Sequence, residues 1–245
     1  VQIIDDSNFY DYANPIRQLG YMPRQTEIGK LEGVPLFADA IPLIPESEWI
    51  PRIQAMNAAR AFPRYIYEEK KPVHQYQDGH PLCWAYSLTQ AVEMSDENYV
   101  QLAPESIVGV AGWRDTGFYC DRAIQWAMEH GIAERSFVPQ YSLRTANYKT
   151  GWQQNALRHR PIEWFDLGAR DMKAECITAL LSGFAIYTGY NRFGHAITLD
   201  EAVVRGTDIG LGSPNTWREK LDRWTLFGAV SIPDEAFAVR TLAYE

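Results

Sequence analysis

The stretch QYQDGHPLCWAYS, residues 75–87, decides how the rest of the chain is read. Its second half opens LCWAYSLTQAVEM, Leu82 to Met94, a run without Gly or Pro in which Ala85, Leu88 and Val92 recur at three-to-four spacing. That pattern predicts a helix buried along one side. Cys83 then falls in the first turn, where unpaired backbone N–H groups and the helix dipole favour an anion, so a thiolate is the expected species. Gln77 lies upstream in a loop containing Gly and Pro, placed so that its side-chain amide and the Cys83 N–H can serve as two donors to one oxyanion. A lone cysteine on a helix is more often a small core residue than a nucleophile. The chemistry therefore depends on partners elsewhere in the chain.

Those partners are found downstream. Gly194-His195 opens a strand-like run, where an imidazole can be held rigidly and take the thiol proton. Asn215 follows in SPNTW, residues 213–217; its amide oxygen can accept from the other ring nitrogen and fix the tautomer. Trp217 is expected to shield that bond from water.

These blocks and their order resemble the papain family of cysteine peptidases. The family's Q-x-x-C-G-S-C-W-A-F block aligns with QDGHPLCWAY, its G/D-H-A strand start with GHAITL and its N-S-W block with NTW. LAPESIVG (102–109) is similar to the family's L-S-E-Q-x-L-V segment, and GFYCDRAIQWAMEHGIAERSFVPQY (117–141) to its G-G-x-x-x-x-A…G-I…Y-P-Y stretch. The match runs from about residue 73 to the NTW block. The resemblance implies Cys83 as nucleophile, His195 as general base and acid, Asn215 as orienter of the ring and Gln77 as oxyanion donor. Of the paired glycines that meet substrate backbone in the family, Thr116-Gly117 retains one, so Gly117 is carried over as a substrate-binding residue. His80 and Leu82 stand where secreted members carry a disulfide cysteine and a serine, and Arg218 replaces the glycine after the tryptophan. His80, beside Pro81, is read as a solvent-facing loop residue, and Trp84 as a core residue first.

Around this constellation the chain reads as α+β, with a helical half carrying Cys83 (about 71–160) and an antiparallel β half carrying His195 and Asn215 (about 161–245). Further helices are predicted at Tyr119–His130, stopped by Gly131, and at Asp171–Leu181. FAIYTGY (184–190), HAITLDEAVV (195–204) and RWTLFGAVSI (223–232) are rich in β-branched and aromatic residues and read as strands. Helices first and strands later argue against an alternating parallel sheet. Eight of the 14 prolines fall within the first 72 residues, and proline resists helix interiors and inner strands. Residues 1–70 are accordingly expected to form an extended arm with one short helix at Trp49–Phe62, ahead of a catalytic domain at 71–245. Such an arm cannot supply the long helical prodomain of papain-like zymogens. GYMPRQTEIGKLEGVPLFADAIPLIPESEW (20–49) looks like the leader of papain-like proteins encoded among structural genes of tailed bacteriophages.

The 245 residues suffice for a sizeable core without metal or disulfide staples. Apolar residues make up 46% and charged residues 22%, and no apolar run approaches the roughly 20 residues that span a bilayer. A net charge of −8 repels phosphate backbones, so neither nucleic acid nor membrane is an expected partner. Three cysteines without a CxxC pair argue for reduced thiols. The acidic first twenty residues do not read as a signal peptide; the expected place is the cytoplasm of a host cell or a virion. His74, His130 and His159 lack partners at metal spacing, and no metal or cofactor is called for. Two functions from different classes remain. One is a peptidase acting on polypeptides through an acyl-enzyme, with acyl transfer, deamidation and isopeptide cleavage as related chemistries. The other is a structural protein whose arm binds neighbouring virion or assembly subunits.

Overall fold

The computed structural model describes residues 1–12, 20–96, 99–216 and 222–240. Along the chain it places β1 (Gln2–Ile4), β2 (Tyr21–Met22), α1 (Phe37–Ala40), α2 (Glu46–Ala58), α3 (Pro63–Glu69), α4 (Cys83–Ser95), β3 (Phe118–Tyr119), α5 (Cys120–His130) and α6 (Trp152–Ala156). Then follow β4 (Glu163–Asp166), α7 (Met172–Leu181), β5 (Ala185–Tyr190), β6 (His195–Leu199), β7 (Glu201–Arg205), β8 (Asp208–Asn215), β9 (Asp222–Leu226) and β10 (Glu235–Arg240).

Every residue of α4 from Cys83 to Met94 is buried, more than the one-sided pattern predicted. A helix covered all round is a central one. It packs against α5 on one side and against β5 and β6 on the other, and is tied to the sheet by buried hydroxyls. Ser87 Oγ donates to the Ala196 carbonyl at 2.7 Å, and Thr198 Oγ1 to the Ser87 carbonyl at 2.8 Å. These bonds set the start of α4 beside the start of β6.

Two four-stranded sheets form the second half, in the orders β4-β10-β5-β6 and β1-β9-β8-β7. All pairings within them are antiparallel except β1 with β9. The run expected to be a single strand at 195–204 is divided at Asp200 between the two sheets. Asp200 donates its N–H to the Gly212 carbonyl at 3.0 Å and accepts the Arg64 N–H at 3.1 Å, while its buried carboxylate takes Arg223 at 2.6 and 3.0 Å. Arg223 also meets Glu201 at 2.8 Å, and Arg64 meets Glu201 at 2.7 Å. An ion network of buried Asp200, Glu201 and Arg223 with half-buried Arg64 thus fixes the corner. The run at 223–232 likewise ends as a strand at Leu226 and continues as a 3-10 turn, Gly228–Ser231, whose Ala229 and Val230 N–H groups are capped by Asp6 at 3.0 and 2.9 Å.

The first seventy residues hold more helix than their prolines suggest. The helix expected at Trp49–Phe62 begins at Glu46 and ends at Ala58 with Pro51 in its interior; Glu46 and Glu48 favour an early start by facing the positive end of the dipole. Pro63, one of the eight prolines of this region, occupies the first position of α3, where its missing N–H costs nothing. This region also shares the core of the β half: Ile4, Phe37, Trp49, Ile53 and Phe62 lie in one buried cluster with Phe184, Ile186, Leu199 and Trp224.

Candidate active site

Cys83 is the first residue of α4. Its backbone N–H, being at the helix start, has no partner inside the helix. The Sγ accepts the Ala196 N–H at 3.4 Å, which puts the residue following His195 directly on the thiol. The His195 ring is buried, and its Nε2 lies 3.3 Å from Asn215 Oδ1. Asn215 is delivered by the last position of β8. Sulfur, imidazole-bearing strand and amide, far apart in sequence, are thus gathered at one end of α4. Trp217 and Arg218 lie outside the described residues. The tryptophan seen against His195 is Trp224, edge-on with ring centroids 5.9 Å apart, a residue that its strand-like surroundings gave no reason to single out.

Gln77 is buried beside them. Its N–H donates to the Thr216 carbonyl at 3.1 Å and its Oε1 accepts from Thr216 Oγ1 at 2.8 Å, so the loop before Cys83 is fastened to the residue after Asn215. Its Nε2 donates to the His80 carbonyl at 2.8 Å. One amide hydrogen is thereby committed and the other is not needed by that bond. His80 is less free than expected: its Nδ1 is 2.5 Å from Asp115 Oδ2, and its ring stacks on Tyr141 with centroids 5.5 Å apart. Trp84, expected as core, donates from Nε1 to the Thr116 carbonyl at 3.1 Å and so anchors the loop that carries Gly117.

The arm lies directly against the thiol. Gly20 lies so close that a Cβ on it would stand 2.7 Å from Cys83 Sγ and 2.9 Å from the Pro81 carbonyl; only glycine passes here. The Gly20 carbonyl accepts from the N–H of Phe118 at 3.1 Å, and β2 continues parallel to β3 with Tyr21 opposite Phe118 and Met22 opposite Tyr119. The residue donating to the arm is thus the neighbour of Gly117. Beyond it, Arg24 forms a two-pronged ion pair with Asp166 at 2.8 and 3.0 Å. The N–H of Gly29 reaches the same carboxylate at 2.7 Å, and the N–H of Thr26 reaches Asp121 at 3.1 Å.

The cover changes the electrostatics expected of the thiol. Burial pushes Cys83 up to about 12, against the lowering effect of the Ala196, Trp84 and Cys83 N–H groups. Desolvation of the anion outweighs the helix-start donors, so the covered cysteine is a thiol and not the thiolate expected from its position. Cys120 and Cys176 are also buried, and all three cysteines are free. Among the described residues no group of three metal-ligating side chains comes together, and no helix is long and apolar enough to cross a membrane.

No family model and no curated protein matches the chain in sequence. Solved structures do match in fold. Procathepsin L2 proteinase from Tenebrio molitor larval midgut is similar at a TM-score of 0.63 and 14% identity, over 96% of this chain and 82% of that one. Xylellain, a cysteine protease from Xylella fastidiosa, is similar at 0.59 and 14%, over 92% and 98%. Digestive procathepsin L 3 of the Tenebrio molitor midgut matches at 0.57 and 14% over 69% of this chain, which spans 66% of that protein's length. The fold is therefore that of papain-like cysteine proteases, a helical half packed on an antiparallel sheet half, at sequence identities that speak for the fold alone.

Proposed function

We propose that the chain is a papain-like cysteine peptidase held in a covered state by its own arm. The single observation that carries this reading is the junction at the start of α4. There Cys83 Sγ meets the backbone of the strand that begins with His195, and that histidine's Nε2 lies 3.3 Å from Asn215. With the arm displaced, Cys83 regains solvent and its helix-start donors, and its proton passes to the imidazole that Asn215 orients. The thiolate attacks a peptide carbonyl, whose oxyanion is met by the Cys83 N–H and the second amide hydrogen of Gln77. His195 then protonates the leaving amine, and water, deprotonated by the same ring, releases the acyl group. Substrate backbone would pair along Gly117 and Phe118, where Gly20 now sits.

The covered state is supported by the arm itself: among its described residues Gly20 to Gly29 are engaged by the same chain, which favours a covering role over docking on a neighbour. The test is peptide hydrolysis by the full chain before and after treatment that displaces the arm, with Cys83→Ala as control. Hydrolysis that appears on displacement and is abolished in Cys83→Ala is expected; hydrolysis that survives Cys83→Ala sinks the proposal. Asn215→Ala should keep residual activity, reduced on the order of 10²-fold or more in kcat through loss of ring orientation.

A further inference from the structure

The loop that carries Gln77 turns through two successive left-handed residues, Asp78 at φ 48° and Gly79 at φ 76°. Glycine adopts that conformation freely and aspartate only at a cost, so the turn needs support from outside. It closes on His80. The His80 N–H donates to the Gln77 carbonyl at 2.9 Å, and the His80 carbonyl accepts from the Leu82 N–H at 2.8 Å and from Gln77 Nε2 at 2.8 Å. The amide of Gln77 therefore takes its direction from the His80 peptide. With one hydrogen held by that carbonyl, the planarity of the amide decides where the second one points.

The His80 side chain is gripped by two other segments. Asp115 Oδ2 meets its Nδ1 at 2.5 Å, and the Tyr141 ring stacks on the imidazole with centroids 5.5 Å apart. The Tyr141 hydroxyl also donates to the Tyr76 carbonyl at 3.0 Å, bracing the loop on both sides of Gln77. Asp115 is itself anchored, because the carbonyl of the next residue, Thr116, holds the indole of Trp84 in α4. With 34% and 40% of the two side chains in solvent, a pair of this kind adds little to stability. Its value is in what it holds still.

Resting on the peptidase reading, we infer that His80 and Asp115 are positioning residues for the oxyanion donor: a clamp that aims the Gln77 amide and ties its loop to the segment bearing Gly117. Oxyanion donor and substrate-backbone segment are then kept in register by one side-chain contact, with Tyr141 holding the ring in the plane that contact needs. Both residues act only through Gln77.

The test follows Gln77 in two ways. In the isotope-labelled full chain, solvent exchange of the Gln77 side-chain amide is measured by NMR, its signals identified by their loss in Gln77→Ala. Asp115→Ala should quicken that exchange about tenfold or more, and Asp115→Asn, which keeps an oxygen to accept from the ring, should restore protection. Neither should move the melting temperature appreciably. In the Gly20→Ala chain, whose cover is strained, Asp115→Ala should lower kcat for peptide hydrolysis about tenfold with KM nearly unchanged, a part of the roughly 10²–10³-fold that loss of a whole oxyanion donor costs. Added to Gln77→Ala it should lower kcat no further, because both substitutions act through one group. His80→Ala should reproduce these losses from the other side of the pair. Exchange unchanged in both Asp115→Ala and His80→Ala overturns the inference, as does a full additional loss on top of Gln77→Ala. If exchange quickens but no chain cleaves any peptide, Gly20→Ala included, the clamp stands and the peptidase reading falls; if peptides are cleaved with kcat indifferent to both substitutions, the reading stands and the clamp falls.

Discussion

A thiol pushed up to about 12 is only roughly one part in ten thousand thiolate at pH 8. In the native chain Cys83 should therefore react very slowly with iodoacetamide, its rate rising about tenfold per pH unit through the alkaline range. Gly20→Ala should break this protection, because the added Cβ would stand 2.7 Å from Sγ and 2.9 Å from backbone at Pro81, neither of which can yield cheaply. A rise in labelling of about tenfold or more at neutral pH is expected, read by peptide mapping that separates Cys83 from Cys120 and Cys176. At this scale the sequence was informative where chemistry restricts residue type and order together: Gln77, Cys83, His195 and Asn215 could be singled out from short blocks. Gly20 and Trp224 could not. A glycine signals closeness without naming what it is close to, and a tryptophan in a strand pattern is indistinguishable from core.

Single elements are held by buried charge as much as by apolar packing. The corner between β6 and β7 depends on Arg223 satisfying Asp200 and Glu201; burial raises Asp200 to about 6 even with that partner in place. Arg223→Ala leaves the buried Asp200 carboxylate without its cation, while Glu201 keeps Arg64, and should cost about 3–5 kcal/mol, measured by urea denaturation. The central helix α4, α5 and α7 were legible to within a residue or two, because a long apolar run or a clear stop signal specifies a helix locally. Asp171 even caps α7 through the Ala174 N–H at 2.9 Å. The prolines misled in the opposite direction: the same ring that breaks a helix interior starts α3 at Pro63. β8 escaped notice because DIGLGSPN has the glycine and proline content of a loop. Its glycines answer to neighbours instead, with Gly212 leaving room for Glu201, 2.3 Å from where a Cβ would lie.

Across the whole molecule, the acids that burial perturbs most clearly are shifted upward: Glu93 to about 7 and Glu235 to about 8. For each, the folded form holds its proton more tightly than the unfolded chain, whose carboxyl titrates near 4.5. The stability they contribute is fully present below that value and is lost as pH rises through 7 and 8. The melting temperature should accordingly fall between pH 5 and pH 9, and Glu93→Gln together with Glu235→Gln should flatten the decline; a profile unchanged by both substitutions would show that other groups govern it. The division at residue 70 is not visible in the packing, since residues of the arm and of the sheets share one core. Sequence pattern speaks to elements one at a time, whereas a shared core is a property of contacts between distant segments. β1 makes that distance plain: Gln2–Ile4 is laid beside Trp224–Leu226. On the ribosome the strap that crosses the sulfur is made first, the sulfur next and the imidazole last. A nascent chain thus already possesses the strap that covers the thiol before either the sulfur or the imidazole has been made, so order of synthesis alone lets the cover form with the core it joins.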